Sequence, residues 1–259
     1  MNYNLHTHTS RSDASGEDEK YISRAIENGF TTLGFSDHAP LRFEDGFESA
    51  FRVPFVKARE YVYDIKKLKE RYKRNVDILV GFEMEYYPEY FNKTVSQMVE
   101  WGVEYLILGQ HYVYPEYPKK TEYQHVVRGS ASEKLLSEYA DRVVEAMETM
   151  RFTYVAHPDM FLFLGNKEYY KNQMRKICVA SKKLNVPLEI NLLGIRANRT
   201  YPNKLFWELA GEEGAPVTFG ADAHQPVDVY NKDSINIAHS IVDEYGLNYV
   251  GKAEVKLLR

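Results

Sequence analysis

Short β-like runs alternate with longer helical patterns along the whole chain, and this alternation constrains the fold more than any other feature. Strands are predicted at residues 3–8, 31–36, 76–83, 104–110, 152–156, 187–191 and 216–220, and a weak extended segment at 248–250 ends the series. Helical periodicity falls between them, at 18–28, 54–72, 90–101, from 130 to about 150, 167–184, 203–211 and 232–245. The helix at 54–72 shows the pattern well, with Ala58, Tyr61, Val62, Ile65, Leu68 and Tyr72 on one stripe. Gly29 reads as a helix stop, and Ser130-Ala131-Ser132-Glu133 has the form of a capping box that opens the fourth helix. Seven strand–helix units favour parallel strands joined by right-handed crossovers. The expected fold is α/β, a distorted (β/α)7 TIM-like barrel in which residues 1–259 form a single domain. An open doubly wound sheet is the competing architecture.

Composition narrows the function. At 44% hydrophobic and 27% charged residues, the chain has a globular balance that excludes fibrous and disordered classes. A net charge of −4 without a basic stripe argues against polymeric nucleic acid and anionic membranes. No apolar run approaches a membrane span, and Met1 to His6 has neither the basic nor the apolar part of a secretion signal. Cys178, the only cysteine, lies in a predicted helix between Ile177 and Val179; it cannot form an intrachain disulfide and reads as a packed, inert thiol. The expectation is a cytoplasmic protein with a small-molecule partner.

Chemistry-bearing residues gather where the predicted strands end. Strand one ends in His6-Thr7-His8 with Asp13 beyond, strand two in Asp37-His38, and strand three in Gly81-Phe82-Glu83-Met84-Glu85. Strand four ends at Gln110-His111, strand five at His157-Pro158-Asp159, strand six at Glu189-Ile190-Asn191, and strand seven at Asp222-Ala223-His224. In a parallel barrel all these ends open on one rim, where the loops build the active site. Residues two apart on a strand point to one side, so His6 and His8 can grip one ion. Imidazole nitrogen and carboxylate oxygen suit Zn, Mn or Fe ions. The candidate ligands His6, His8, Asp13, His38, Glu83, His111, His157, Asp222 and His224 are too many for one ion, so two or three divalent metals are expected. His239, inside a predicted helix, and His125, in a loop, read as structural.

With these motifs in order along nearly the whole chain, the sequence resembles the polymerase and histidinol phosphatase (PHP) superfamily, and most closely its histidinol-phosphate phosphatase branch. The loop from Asn191 to Pro202 is similar to that branch too. The resemblance implies a distorted (β/α)7 barrel with up to three metals. By motif position, His6, His8, Glu83 and Asp222 would hold the first; Glu83 would bridge to a second with His111 and His157; Asp13, His38 and His224 would hold a third. Some relatives use His where Asp13 stands. Glu85 competes for the bridging role, but Glu83 occupies the Gly-x-Glu position.

Such a site independently suits phosphate monoester hydrolysis, which demands exceptional charge stabilisation. Two ions can activate a bridging water and clamp the phosphoryl oxygens. The expected step is in-line attack by that hydroxide on phosphorus with no covalent enzyme intermediate, and Asp222 and His224 are the candidates for proton handling. Arg196, Arg199 and Arg42 are the candidate phosphate donors, because a guanidinium fork matches phosphate oxygens. Recognition of an imidazole and an amine would fall to Phe43-Glu44-Asp45 or Tyr112-Val113-Tyr114. The function so read is L-histidinol-phosphate phosphatase. The alternatives are a phosphoesterase of the same fold acting on a nucleotide or sugar phosphate, and an inactive metal-binding scaffold.

Overall fold

The computed structural model describes residues 1–43, 46–116 and 125–259. Eight parallel strands run in sequential order: β1 (Tyr3–Asn4), β2 (Thr32–His38), β3 (Asp77–Met84), β4 (Tyr105–Leu108), β5 (Phe152–Val155), β6 (Leu188–Asn191), β7 (Pro216–Gly220) and β8 (Asn248–Tyr249). The helices between them are α1 (Asp18–Glu27), α2 (Phe55–Tyr72), α3 (Pro88–Trp101), α4 (Glu133–Glu148), α5 (Lys167–Leu184), α6 (Leu192–Arg196), α7 (Lys204–Glu213) and α8 (Lys232–Tyr245). Sequential strand order leaves no reversal point, so the doubly wound alternative is excluded. Among the described residues, no helix is long and apolar enough to cross a membrane.

Closure explains why the barrel is distorted. Beyond β1 the chain bridges to the segment after β7 through Thr7 and Ala223, and His8 N–H donates to the Ala223 carbonyl at 2.9 Å. Below that bridge the Asn4 side chain replaces backbone pairing: its Oδ1 accepts from Ala221 N at 2.9 Å and from His6 N at 3.1 Å. At the other end of the barrel β8 lies against the start of β7, and Tyr3 Oη donates to the Gly251 carbonyl at 2.8 Å. The result is a seven-stranded ring with a two-residue eighth strand wedged into its seam, matching the predicted units and the weak last segment.

Two apolar layers follow from parallel strands buried on both faces. The larger one fills the space between sheet and helices, and a smaller one (Leu5, Leu79, Tyr105, Ile107, Tyr154, Ala156 and Ala253) fills the ring. Ala253 comes from the C-terminal segment, which is pinned across the strand N-termini by Leu258 N–H to the Glu104 carbonyl at 2.8 Å. With this interior packed, the opposite mouth is left for chemistry.

Local signals set the helix boundaries. Asn166, Asn203 and Asn231 cap α5, α7 and α8 through their side chains, and left-handed Gly102, Gly214 and Gly246 terminate α3, α7 and α8. The expected capping box at Ser130 is corrected. Ser132 is the N-cap of α4 and accepts from Leu135 N, while Ser130 is drawn into a parallel bridge with Phe163. Tertiary pairing there overrides the local signal.

Candidate metal centre

Glu83 stands at the middle of the mouth. Its Oε1 lies 2.7 Å from His157 Nε2 and 3.4 Å from His111 Nε2. Its Oε2 lies 3.1 Å from His38 Nδ1, 3.5 Å from His8 Nε2 and 3.6 Å from His6 Nε2. The second carboxylate, Asp222, places Oδ1 3.5 Å from His6 Nε2 and 3.3 Å from each of His8 Nε2 and His224 Nδ1. Asp13, from the loop after β1, faces His38 at 3.5 Å and His224 at 3.4 Å. All nine predicted ligand residues thus converge. They form overlapping sets (His6/His8/Asp222, His6/Glu83/His157, His38/Glu83/His111 and His8/Asp13/His38/His224) within which the candidate ligand atoms lie within 4.8 Å of one another.

Backbone geometry makes this convergence possible. A Cβ on Gly109 would stand 2.0 Å from Glu83 Oε1, and one on Gly220 would stand 1.7 Å from Glu189 Oε1, so only glycine admits these carboxylates. His157 and Asp222 adopt positive φ, +29° and +47°, an uncommon conformation retained where the surroundings enforce it.

The donor set fits divalent cations. His6 Nε2, both ring nitrogens of His8, His38 Nδ1, Glu83 Oε2 and Asp222 Oδ1 are buried without a hydrogen-bond partner. His38 Nδ1 and Glu83 Oε2 are close, yet lie off the line of a hydrogen bond. Orphaned buried polar atoms are costly, and lone pairs aimed at a shared volume are what a cation satisfies. Carboxylates behind the rings fix their orientation. Glu189 Oε1 engages His6 Nδ1 at 2.8 Å, and Glu85 Oε1 engages His111 Nδ1 at 2.8 Å, so each ring turns its Nε2 towards Glu83. Glu85 therefore lies behind the centre, where Arg52 Nη1 also holds it at 2.7 Å.

Charge state follows from the same contacts. Burial opposes ionisation of Glu83, but His111, His6 and His38 outweigh it and hold its carboxyl well below the usual range. Burial, reinforced by His224 and His38, pushes His8 down to about 3, leaving a neutral ring ready to donate a lone pair. Burial also acts against charge on His111 and His224, but neighbouring carboxylates keep each up at about 9. Below pH 9 a metal must therefore displace protons from both rings. His6, held well above its ordinary value by Glu189, Asp222 and Glu83 against burial, must give up a proton too, so affinity for Zn or Mn is expected to rise with pH through 9, with proton release on loading at pH 7. Titration calorimetry at pH 7 in two buffers of different ionisation enthalpy measures this; identical heats in both would contradict it.

The centre floors a cavity of about 310 Å³ walled by Phe51, Tyr112, His125, Met160, Leu193, Arg199 and Tyr201. Of the three predicted arginines only Arg199 lines it, donating to Tyr201 Oη at 2.9 Å. Arg196 is corrected: it sits at the end of the unpredicted helix α6 and spends its guanidinium on the Ala221 carbonyl (2.8 Å), the Asp222 carbonyl (3.1 Å) and Asp228 (3.3 Å). Arg42 is exposed and away from the cavity. His125 has the structural role read for it, its Nδ1 accepting from Val127 N at 3.3 Å, and it also lines the cavity, 5.5 Å from the His111 ring. His239 packs on Phe219 and Tyr249, as a structural residue does. Phe43 is buried with Leu41 and Tyr87, and Tyr114 Oη bonds Glu138; Glu44 and Asp45 lie outside the described residues. The sequence reading gave no role to Glu189, Phe51 or Tyr201. Only Glu189 carried a signal, as a carboxylate at a strand end two residues before Asn191, whose Nδ2 donates to Asp222 Oδ2 at 3.1 Å.

Residues 3–192 match the family model described as "PHP domain", well over half of the 259 residues. The chain belongs to the PHP domain family. The Schizosaccharomyces pombe protein called "Probable histidinol-phosphatase" is 27% identical over 90% of this chain and 83% of its own length. The Bacillus subtilis protein called "Histidinol-phosphatase" is 24% identical over 81% of this chain and 88% of its own. Among solved structures, histidinol phosphate phosphatase from Lactococcus lactis, complexed with zinc, L-histidinol and phosphate, superposes with a TM-score of 0.71 at 18% identity, covering 100% of this chain and 99% of that one. That likeness establishes the PHP barrel as the fold.

Proposed function

We propose that this PHP protein is a metal-dependent phosphomonoesterase that hydrolyses L-histidinol phosphate to L-histidinol and phosphate. The observation that carries the reading is the set of buried, unpartnered nitrogen and oxygen atoms around Glu83 and Asp222 at the floor of the cavity. The substrate is supported by the curated relatives, which align over most of their length with this chain. The nine converging side chains would hold two or three divalent ions, Zn, Mn or Fe. When bound, such ions neutralise phosphoryl oxygens and lower the pKa of water.

The chain's own groups supply the rest. Glu189 and Glu85 keep the rings of His6 and His111 in the tautomer that presents Nε2. Arg199 offers the cavity its only described guanidinium, suited to the non-bridging phosphate oxygens. Among the described residues no serine, threonine or cysteine lines the cavity, and Cys178 is buried in α5, where burial raises its thiol pKa. With the carboxylates and imidazoles on the cavity floor given to the metal set, water is the direct nucleophile in this reading: its oxygen bonds to phosphorus as it gives up a proton, the ester P–O bond breaks opposite it, and the leaving alkoxide takes a proton. With two ions held around Glu83, His224, the more solvent-exposed of the pair, passes that proton, and ionised Asp222, its Oδ1 3.3 Å from His224 Nδ1, orients the ring.

Release of inorganic phosphate across a panel of esters tests this. L-Histidinol phosphate is expected to exceed p-nitrophenyl phosphate, a nucleoside monophosphate and a sugar phosphate in kcat/KM, and exhaustive chelation is expected to abolish turnover until Zn or Mn is restored. A flat panel would remove the substrate assignment. Full activity after chelation would remove the mechanism, and a metal-loaded protein inert on every ester would leave a scaffold.

A further inference from the structure

We propose that Phe51, Tyr112 and His125 form an aromatic wall for the leaving group, and that His125 reads a nitrogen of an aromatic ring lying against it. This deepens the phosphatase reading and rests on it. The rings of Phe51 and Tyr112 lie near-parallel, 6.2 Å between centroids at 25°, and together make one aromatic face of the cavity, with His125 edge-on to Tyr112 at 5.2 Å. The wall abuts the metal centre, since Phe51 meets His38 edge-on at 5.1 Å and His125 lies 5.5 Å from His111. Buried Arg52 stiffens it, placing its guanidinium 4.8 Å from the Phe51 ring while Glu85 and Glu116 fix that guanidinium at 2.7 and 2.6 Å.

Strand order sets the direction of the substrate. Phe51 follows β2, Tyr112 and His125 follow β4, and Arg199 follows β6. In the ring of strands β6 stands across from the arc between β2 and β4. A phosphoryl group held on the Arg199 side therefore points its ester oxygen, and the carbon skeleton beyond, at the aromatic wall.

The hydrogen bond of His125 settles which ring atom it offers. Its Nδ1 accepts from Val127 N at 3.3 Å, so the ring proton resides on Nε2, at the edge turned away from its own backbone. That N–H is a donor suited to the unprotonated nitrogen of an imidazole, which a phenyl ring lacks. A site that offers such a bond rejects the analogue without an acceptor, because its donor is left unpaired.

The experiment compares kcat/KM for L-histidinol phosphate, L-phenylalaninol phosphate (the same skeleton with a phenyl ring) and glycerol phosphate on the metal-loaded full chain. His125→Phe is expected to cut the histidinol/phenylalaninol ratio by about tenfold or more, and His125→Gln, which keeps a side-chain donor, to restore part of it. Phe51→Ala and Tyr112→Ala are expected to lower both ring esters about tenfold relative to glycerol phosphate. A wild-type preference for histidinol phosphate that survives in both His125 variants overturns this proposal alone. Equal wild-type rates on all three esters would instead fell the substrate reading, and this proposal with it.

Discussion

Glu83→Gln is expected to lower kcat/KM for phosphate release by about 10³-fold or more and to strip the protein of most of its metal. The magnitude follows from what the carboxylate faces. Five imidazoles, from His6, His8, His38, His111 and His157, direct nitrogens at its two oxygens within 3.6 Å. Glutamine keeps the shape, yet it removes the negative charge and replaces one acceptor oxygen with a donor amide. Loss of the several kcal/mol that metal ions lend to a phosphoryl-transfer transition state is a factor of about 10³ at 4 kcal/mol. Glu85→Gln is the matched comparison: Glu85 stands just past the end of β3 and reaches His111 from behind at 2.8 Å, so a loss of about 10–100-fold in metal affinity is expected. Metal content by mass spectrometry, phosphate release and near-UV circular dichroism on each variant measure these outcomes. A folded Glu83→Gln protein with full metal content and activity within tenfold of wild type would refute the assignment.

How far these features were legible in the sequence depends on whether each rested on local or distant contacts. The bounds of α5 and α8 matched the reading, because Asn166 and Asn231 cap them through local side-chain bonds. The convergence of the candidate ligands was legible because His6, His38, Glu83 and Asp222 sit within two residues of strand ends, and parallel topology sends all those ends to one mouth. Five-residue α6 escaped detection, being too short to show helical periodicity. Its position decides the fate of Arg196, which the helix turns towards the Ala221 and Asp222 carbonyls instead of the cavity. The place of His125 at the cavity escaped for the converse reason. His125 is a loop residue whose place beside His111 depends on how a long connection returns to the rim, and no periodic pattern records that return.

The same distinction among loop residues yields the second large effect. Arg199→Met is expected to reduce kcat/KM by about 10²–10³-fold while leaving metal content intact, the scale seen when one well-placed donor to a developing charge is removed. Tyr201 keeps the guanidinium at the cavity, accepting from Nη1 at 2.9 Å with its own ring buried. Arg199→Lys is expected to recover only part of the loss, because a point charge cannot reproduce a planar fork. Competitive inhibition by inorganic phosphate separates binding from chemistry, and its Ki should rise in parallel with KM in Arg199→Met. Arg196→Met is expected to show the opposite signature. Its side chain braces the backbone of Asp222 and pairs with Asp228, so metal retention and melting temperature should fall before phosphate affinity does. Arg42→Met, at an exposed position away from the cavity, should change neither. If Arg199→Met kept both kcat/KM and the phosphate Ki within threefold of wild type, the phosphate would have to be held by the metal centre alone, and the orientation that directs the leaving group towards Phe51 and Tyr112 would lose its anchor.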